Sequence, residues 1–357
     1  MSTPNSSPSP PPQGAGGAHE SNPWIPAAPP AGPSLLLRQR RGLRRLSLAG
    51  GCALLLVSLL GQLMVPLGKL ARFVVTEERP ERALLWYCFV SLLGQVILMG
   101  GALLGLRLLR PVDHNRALNF ERPFHGVRKH DTLLMAAVIF VGIALCYDAG
   151  LAWDQALALL EKVGIALQSP PGVPPQNLPG FVLELVAVAI APAFIEETFL
   201  RGMILQPLRR FGSGFAVAAS ALLFALLHQN AAQAPFAFLA GLVLGWAAVY
   251  SGSLWLPIMI HFWNNAISVM FSAIRSQSGE AAARLLYNWY GLAVCALGLV
   301  GLVILLALRR HARASAPPKP AVLISAPGRA VRYLLGSVPM ALVVAYFCMR
   351  IYLDIRH

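Results

Sequence analysis

Residues 211–274 read FGSGFAVAASALLFALLHQNAAQAPFAFLAGLVLGWAAVYSGSLWLPIMIHFWNNAISVMFSAI, and no Asp, Glu, Lys or Arg interrupts them. A helix that spans a bilayer needs ~20 predominantly apolar residues. This one stretch therefore holds material for three such helices, divided by the small and polar residues Gln229–Gln233 and Ser251–Ser253. Outward from it the pattern repeats. Leu285–Leu308 and Tyr333–Met349 follow, and Ser47–Gly68, Ala83–Leu106, Thr132–Tyr147 and an apolar stretch from Phe181 to Glu196 precede. The expected fold is all-α, a polytopic transmembrane helix bundle of about eight or nine spans. Composition agrees. The 357 residues are 56% hydrophobic and only 12% charged, with mean hydropathy +0.61, too few charges to cover the surface of soluble domains of that length.

The remaining segments complete the organisation. Residues 1–37, rich in Pro, Ser, Gly and Ala, cannot bury a core and read as a disordered tail; residues 38–357 read as the transmembrane domain, with 180–274 its chemical core. The stretch from about Trp153 to Gly180, with Pro170, Pro171, Pro174, Pro175 and Pro179, reads as an extramembrane loop with a short helix at its start. The net charge is +14. Its arginines cluster at the ends of apolar runs, as in Arg38, Arg40, Arg41, Arg44 and Arg45, in 107–130 and in 309–332. That distribution follows the positive-inside rule and puts the N-terminus in the cytoplasm. A basic protein also raises nucleic acid as a partner; without an interleaved aromatic surface for base stacking, no nucleic-acid partner is expected. The partners expected are the lipid bilayer and a membrane-associated protein or peptide. The five cysteines, Cys52, Cys88, Cys146, Cys295 and Cys348, lie singly inside apolar runs and read as small apolar residues.

Ionisable groups at membrane depth are costly and are functional candidates by default. Three clusters qualify. Glu196-Glu197-Thr-Phe-Leu-Arg201 ends an apolar helix; Glu197 and Arg201, four apart, share a helix face and can pair. Glu196 points about 100° away and stays free for chemistry. The same spacing also suits an ordinary interfacial salt bridge. Phe224-Ala-Leu-Leu-His228 places an imidazole at the end of a long apolar helix, where it can act as a base, hold a water or ligate a metal, or bond a backbone or amide partner. His261-Phe-Trp-Asn-Asn265 puts His261 and Asn265 one turn apart on one face. Asn265 can stabilise a developing oxyanion or serve as polar glue between helices, and Asn264 projects elsewhere. By helix rise, Glu196 lies ~20 Å from Arg209 and His228 ~21 Å from Gly214, so the two reach similar depth; His261, ~12 Å from Ser253, needs a tilt to join them. The amphipathic 201–210 segment, disturbed by Pro207, is expected to lie partly in the membrane plane.

The three motifs, in this order on successive helices, resemble the CPBP family of intramembrane proteases, which includes the CAAX prenyl endopeptidases of the Rce1 type and bacterial Abi proteins. The family pattern E-E-x-x-x-R, F-x-x-x-H, H-x-x-x-N is filled at every position by Glu196, Glu197, Arg201, Phe224, His228, His261 and Asn265. Gly241–Gly245 and Ser251–Pro257 look like the family's connecting helix. The resemblance implies an intramembrane endopeptidase with a cavity open to the cytoplasm. In it Glu196 and His228 activate the attacking water, and His261 and Asn265 stabilise the oxyanion. Glu197 and Arg201 hold the geometry, with Phe224 packed beside them. Two readings of the water stay open. Glu196, His228 and His261 can make a three-ligand zinc site with an open position, although no H-E-x-x-H helix is present; or Glu196 and His228 hold the water directly. Ser220 carries no mark of a nucleophile. The high Ala, Leu, Arg and Pro content suggests a bacterial source, hence the inner membrane. Two other classes compete: an ion- or proton-coupled transporter, and a non-catalytic immunity or scaffold protein.

Overall fold

The computed structural model describes residues 33–70, 80–108, 120, 123, 128–167, 173–310 and 327–356. Among these the secondary structure is helical throughout: α1 (Pro33–Leu70), α2 (Pro80–Leu108), α3 (Arg128–Lys162), α4 (Leu178–Leu208), α5 (Ser213–His228), α6 (Ala234–Ser251), α7 (255–278), α8 (280–307), α9 (Pro327–Leu335) and α10 (Val338–Arg356). Among the described residues, six helical stretches are long and apolar enough to cross a membrane, and two shorter apolar helices, Ser213–His228 and Val338–Leu353, accompany them. The longest stretch, Trp255–Ala307, breaks at Gly279, where φ is +84°. Only glycine takes that conformation without strain. The chain turns back there: Phe271 packs against Tyr287 and Tyr290 across the turn.

Small residues set how closely the helices approach. In lipid the hydrophobic effect does not drive helices together, so packing of small side chains decides which faces meet. Gly241 on α6 lies against Ala221 on α5, and Gly245 against Val217, an antiparallel pair. Gly291, Gly298 and Gly301 on α8 meet Tyr147, Ala144 and Ala137 on α3. Gly51 on α1 meets the backbone at Met340 on α10, and Gly101 on α2 meets Ala53. α7 runs antiparallel to α4, joined by Glu197–His261 and Val188–Asn265 contacts. The central cluster gathers Phe199 to Leu208 of α4 with Leu223, Phe224, Ala237, Leu244 and Ile260.

The structure refines three expectations. The helix read as Thr132–Tyr147 runs on to Lys162, so the short helix expected at the start of the 153–180 loop is the end of α3. Its sequence, AGLAWDQALALLEK, is rich in strong helix formers, the prolines begin only at Pro170, and Trp153 Nε1 donates to Ala232 O at 2.5 Å. The first half of the amphipathic 201–210 segment is core: every residue of Thr198–Leu205 is buried, in a stretch of π-helix. Pro207 lies in the last turn of α4, one residue before the helix ends at Leu208. The N-terminal helix starts at Pro33, inside the expected tail; residues 1–32, and most of the basic stretches 107–130 and 309–332, lie outside the described residues.

Candidate active site

The apolar stretch before Glu196 leaves regular α-geometry twice. Leu185–Ile190 and Thr198–Leu205 are π-helical, and the short α-helix Ala191–Glu197 between them carries both acids at its end. Widened turns of this kind recur at functional sites because they re-aim side chains. Here they flank the acid pair. Glu196 is 8% exposed, Glu197 and Arg201 are wholly buried, and His261 is 4% exposed.

Glu197 is the electrostatic centre. Its Oε1 accepts from Arg201 Nη1 at 2.7 Å and lies 2.9 Å from His261 Nδ1. Arg201 Nη2 donates to the Gly241 carbonyl at 3.1 Å, and the guanidinium lies over the Phe224 ring, 4.8 Å from its centroid. Thus α4, α5, α6 and α7 are tied together through one ion pair. Phe224 meets the rings of both His228 and His261 edge-on, at 4.8 and 5.4 Å. The pairing of Glu197 with Arg201 holds as expected, and Glu197 also fixes His261. The sequence spacing did not foretell that second bond.

Each imidazole has one nitrogen committed and one free. His228 Nδ1 lies 2.9 Å from Phe224 O. A carbonyl only accepts, so Nδ1 carries the hydrogen and a neutral His228 keeps its lone pair on Nε2. His261 Nδ1 faces Glu197, which leaves Nε2 facing Glu196 Oε2 at 4.0 Å. That gap is too long for a direct hydrogen bond and suits a bridging water. A cavity of about 30 Å³ is lined by His228, His261, Asn264, Asn265, Phe224 and Cys146, among others; that is room for one or two waters. Glu196 borders His261 but is not in the cavity lining. Asn264, expected to project elsewhere, faces the cavity, and its Nδ2 donates to Asn265 Oδ1 at 3.2 Å. Asn265 Nδ2 donates to Val188 O at 2.9 Å, where the first π-helical segment presents a carbonyl.

Two contributors, Gln95 and Cys146, escaped the sequence reading, as did the separate buried acid Glu184. Gln95 on α2 donates from Nε2 to Glu196 Oε1 at 2.8 Å. Cys146 on α3 lines the cavity. Glu184 interrupts the stretch read as apolar; it is 7% exposed and its Oε2 has no partner among the described residues. Twelve residues before Glu196, it lies ~18 Å away along the helix, apart from the cluster. Among the described residues no three His, Cys, Asp or Glu side chains converge closely enough to hold a metal ion. Glu196, His228 and His261 as placed therefore do not fit the three-ligand zinc reading.

Fold and site together define a polytopic helical membrane protein with a Glu/His/Arg/Asn cluster buried among its helices. Residues 178–267 match the family model of the type II CAAX prenyl endopeptidase Rce1-like proteins, the family that the three motifs resemble. No curated relative and no solved structure matches the chain. The matched segment runs from the start of α4 into α7 and contains every motif residue. At family level it supports a CAAX-protease-type intramembrane peptidase.

Proposed function

We propose that the protein is an intramembrane endopeptidase that hydrolyses peptide bonds of membrane-associated proteins or peptides with a water activated by Glu196 and His228. The observation that carries this reading is Glu196 Oε2 facing His261 Nε2 across a water-sized gap of 4.0 Å, with His228 and His261 both lining the small cavity. Peptide hydrolysis needs a base, a water and an oxyanion stabiliser within reach of one another.

In the proposed reaction Glu196 takes a proton from the water, which His228 Nε2 orients through its lone pair. The water oxygen bonds to the scissile carbonyl carbon, and the carbonyl oxygen becomes an oxyanion. His261, when protonated, has N–H groups on both sides, one on Glu197 and one for that oxyanion. Asn265 has a second amide hydrogen besides the one given to Val188 O, and it serves the same charge. Collapse breaks the C–N bond, and the proton on Glu196 passes to the leaving amine. Glu197 and Arg201 hold this geometry, and Phe224 packs the two imidazoles. No step uses a metal.

The positive-inside distribution supports a cytoplasmic N-terminus, and the composition supports a bacterial inner membrane. The family description supports prenylated CAAX peptides as first substrates to try, beside unprenylated ones. The test is peptide cleavage by purified protein in liposomes. Glu196→Ala and His228→Ala each abolish cleavage while the protein still inserts; full activity in either variant contradicts the reading.

A further inference from the structure

Gln95 lies on α2, outside the residues 178–267 that match the family model. Its Nε2 donates to Glu196 Oε1 at 2.8 Å, the one hydrogen bond between α2 and the cluster among the described residues. Its own Oε1 is buried and has no partner there. A primary amide placed in an apolar helix for packing would satisfy both ends, because an orphaned buried carbonyl is costly. Gln95 spends its side chain on Glu196 alone.

The effect on Glu196 follows from the chemistry of a carboxylate. Its last torsion is broad and nearly two-fold, so an unheld carboxylate rotates and exchanges its oxygens. The groups facing Glu196 are Gln95 from α2 and His261 from α7, with His228 on α5 nearby and Glu197 and Arg201 on its own helix. Of these, Gln95 takes Oε1, and Oε2 is left toward His261. A neutral amide can do this without cancelling the charge that makes the carboxylate a base; a Lys or Arg there would pair with it.

We infer that Gln95 is the positioning residue of this site, holding the Glu196 carboxylate by one oxygen so that the other faces the reacting water. This rests on the peptidase reading above. Two measurements on Gln95→Leu and Gln95→Glu test it. In the infrared spectrum of the protein in liposomes, the carboxylate band of Glu196 is assigned by its loss in Glu196→Gln. That band shifts in both Gln95 variants when the amide hydrogen bond is removed. In the cleavage assay kcat falls roughly 10- to 100-fold, the scale of a misplaced catalytic group, while KM stays within about twofold because substrate binding is untouched. An unshifted band overturns the inference whatever the rates do, and so does a shifted band with unchanged kcat. If the wild-type protein cleaves nothing, the peptidase reading fails, and the band alone decides whether Gln95 holds Glu196.

Discussion

Arg201 and Glu197 are both fully buried, and neither could stand in this core without the other. Isolated charges in an apolar interior are far more costly than paired ones. Replacing Arg201 with Leu leaves Glu197 with only the His261 contact. It should destabilise the protein by on the order of 3–5 kcal/mol, the range for breaking a buried pair from one side; thermal unfolding in detergent measures this. Arg201→Lys keeps the charge but cannot also reach the Gly241 carbonyl in the same fork geometry, so it should fall between the two. The motif residues were legible in the sequence because an ionisable group in an apolar run is a visible anomaly. Gln95 was not, since a lone uncharged amide in a spanning helix looks like ordinary interhelical glue. Nor was the bond from Glu197 to His261, which joins residues 64 apart.

At the scale of the element, the site depends on how closely α5 and α6 approach. A Cβ on Gly241 would sit 2.9 Å from Ala221 Cα, 3.0 Å from its Cβ and 3.2 Å from Phe224 Cδ1. The first of these is backbone and cannot yield alone. Gly241→Ala should therefore push the two helices apart at a cost of about 1–3 kcal/mol. It should also lower cleavage by shifting Phe224, which touches Arg201, His228 and His261. Gly94→Ala on α2 is the control: a Cβ there meets nothing within 4 Å, and activity and melting temperature should hold. Helix existence was readable from the apolar runs, but the helical extent of α3 was not. Asp148, Asp154, Glu161 and Lys162 looked like loop charges, yet the Ala and Leu between them favour helix, and tertiary anchoring at Trp153 extends it. The π-helical segments around the acids leave no mark in residue spacing.

At the scale of the whole molecule, buried Glu, Arg and His also suit an ion pathway. The geometry favours hydrolysis over transport: among the described residues Glu196, Glu197, Arg201 and His261 are joined in one group, and His228 and His261 line a cavity of about 30 Å³. Protein reconstituted in liposomes should cleave peptide without passing protons or sodium. Flux without cleavage would favour the transporter class, and a catalytically dead variant that restores function in a deletion strain would favour the scaffold class. The bundle and its order of helices followed from hydropathy alone. The convergence of His261 with the acids did not, because helix rise gives depth along one helix only and packing decides which helices meet.

An isosteric exchange at Glu196 separates its proposed role as base for the attacking water from its role in packing. Glu196→Gln keeps the size and the polar contact to Gln95 while removing the basic oxygen. With a prenylated or unprenylated peptide, in liposomes and in the presence of a strong chelator, wild-type protein should cleave and Glu196→Gln should not, at equal insertion and thermal stability. Cleavage by Glu196→Gln at the wild-type rate, or loss of wild-type cleavage to the chelator with restoration by zinc, would contradict the account.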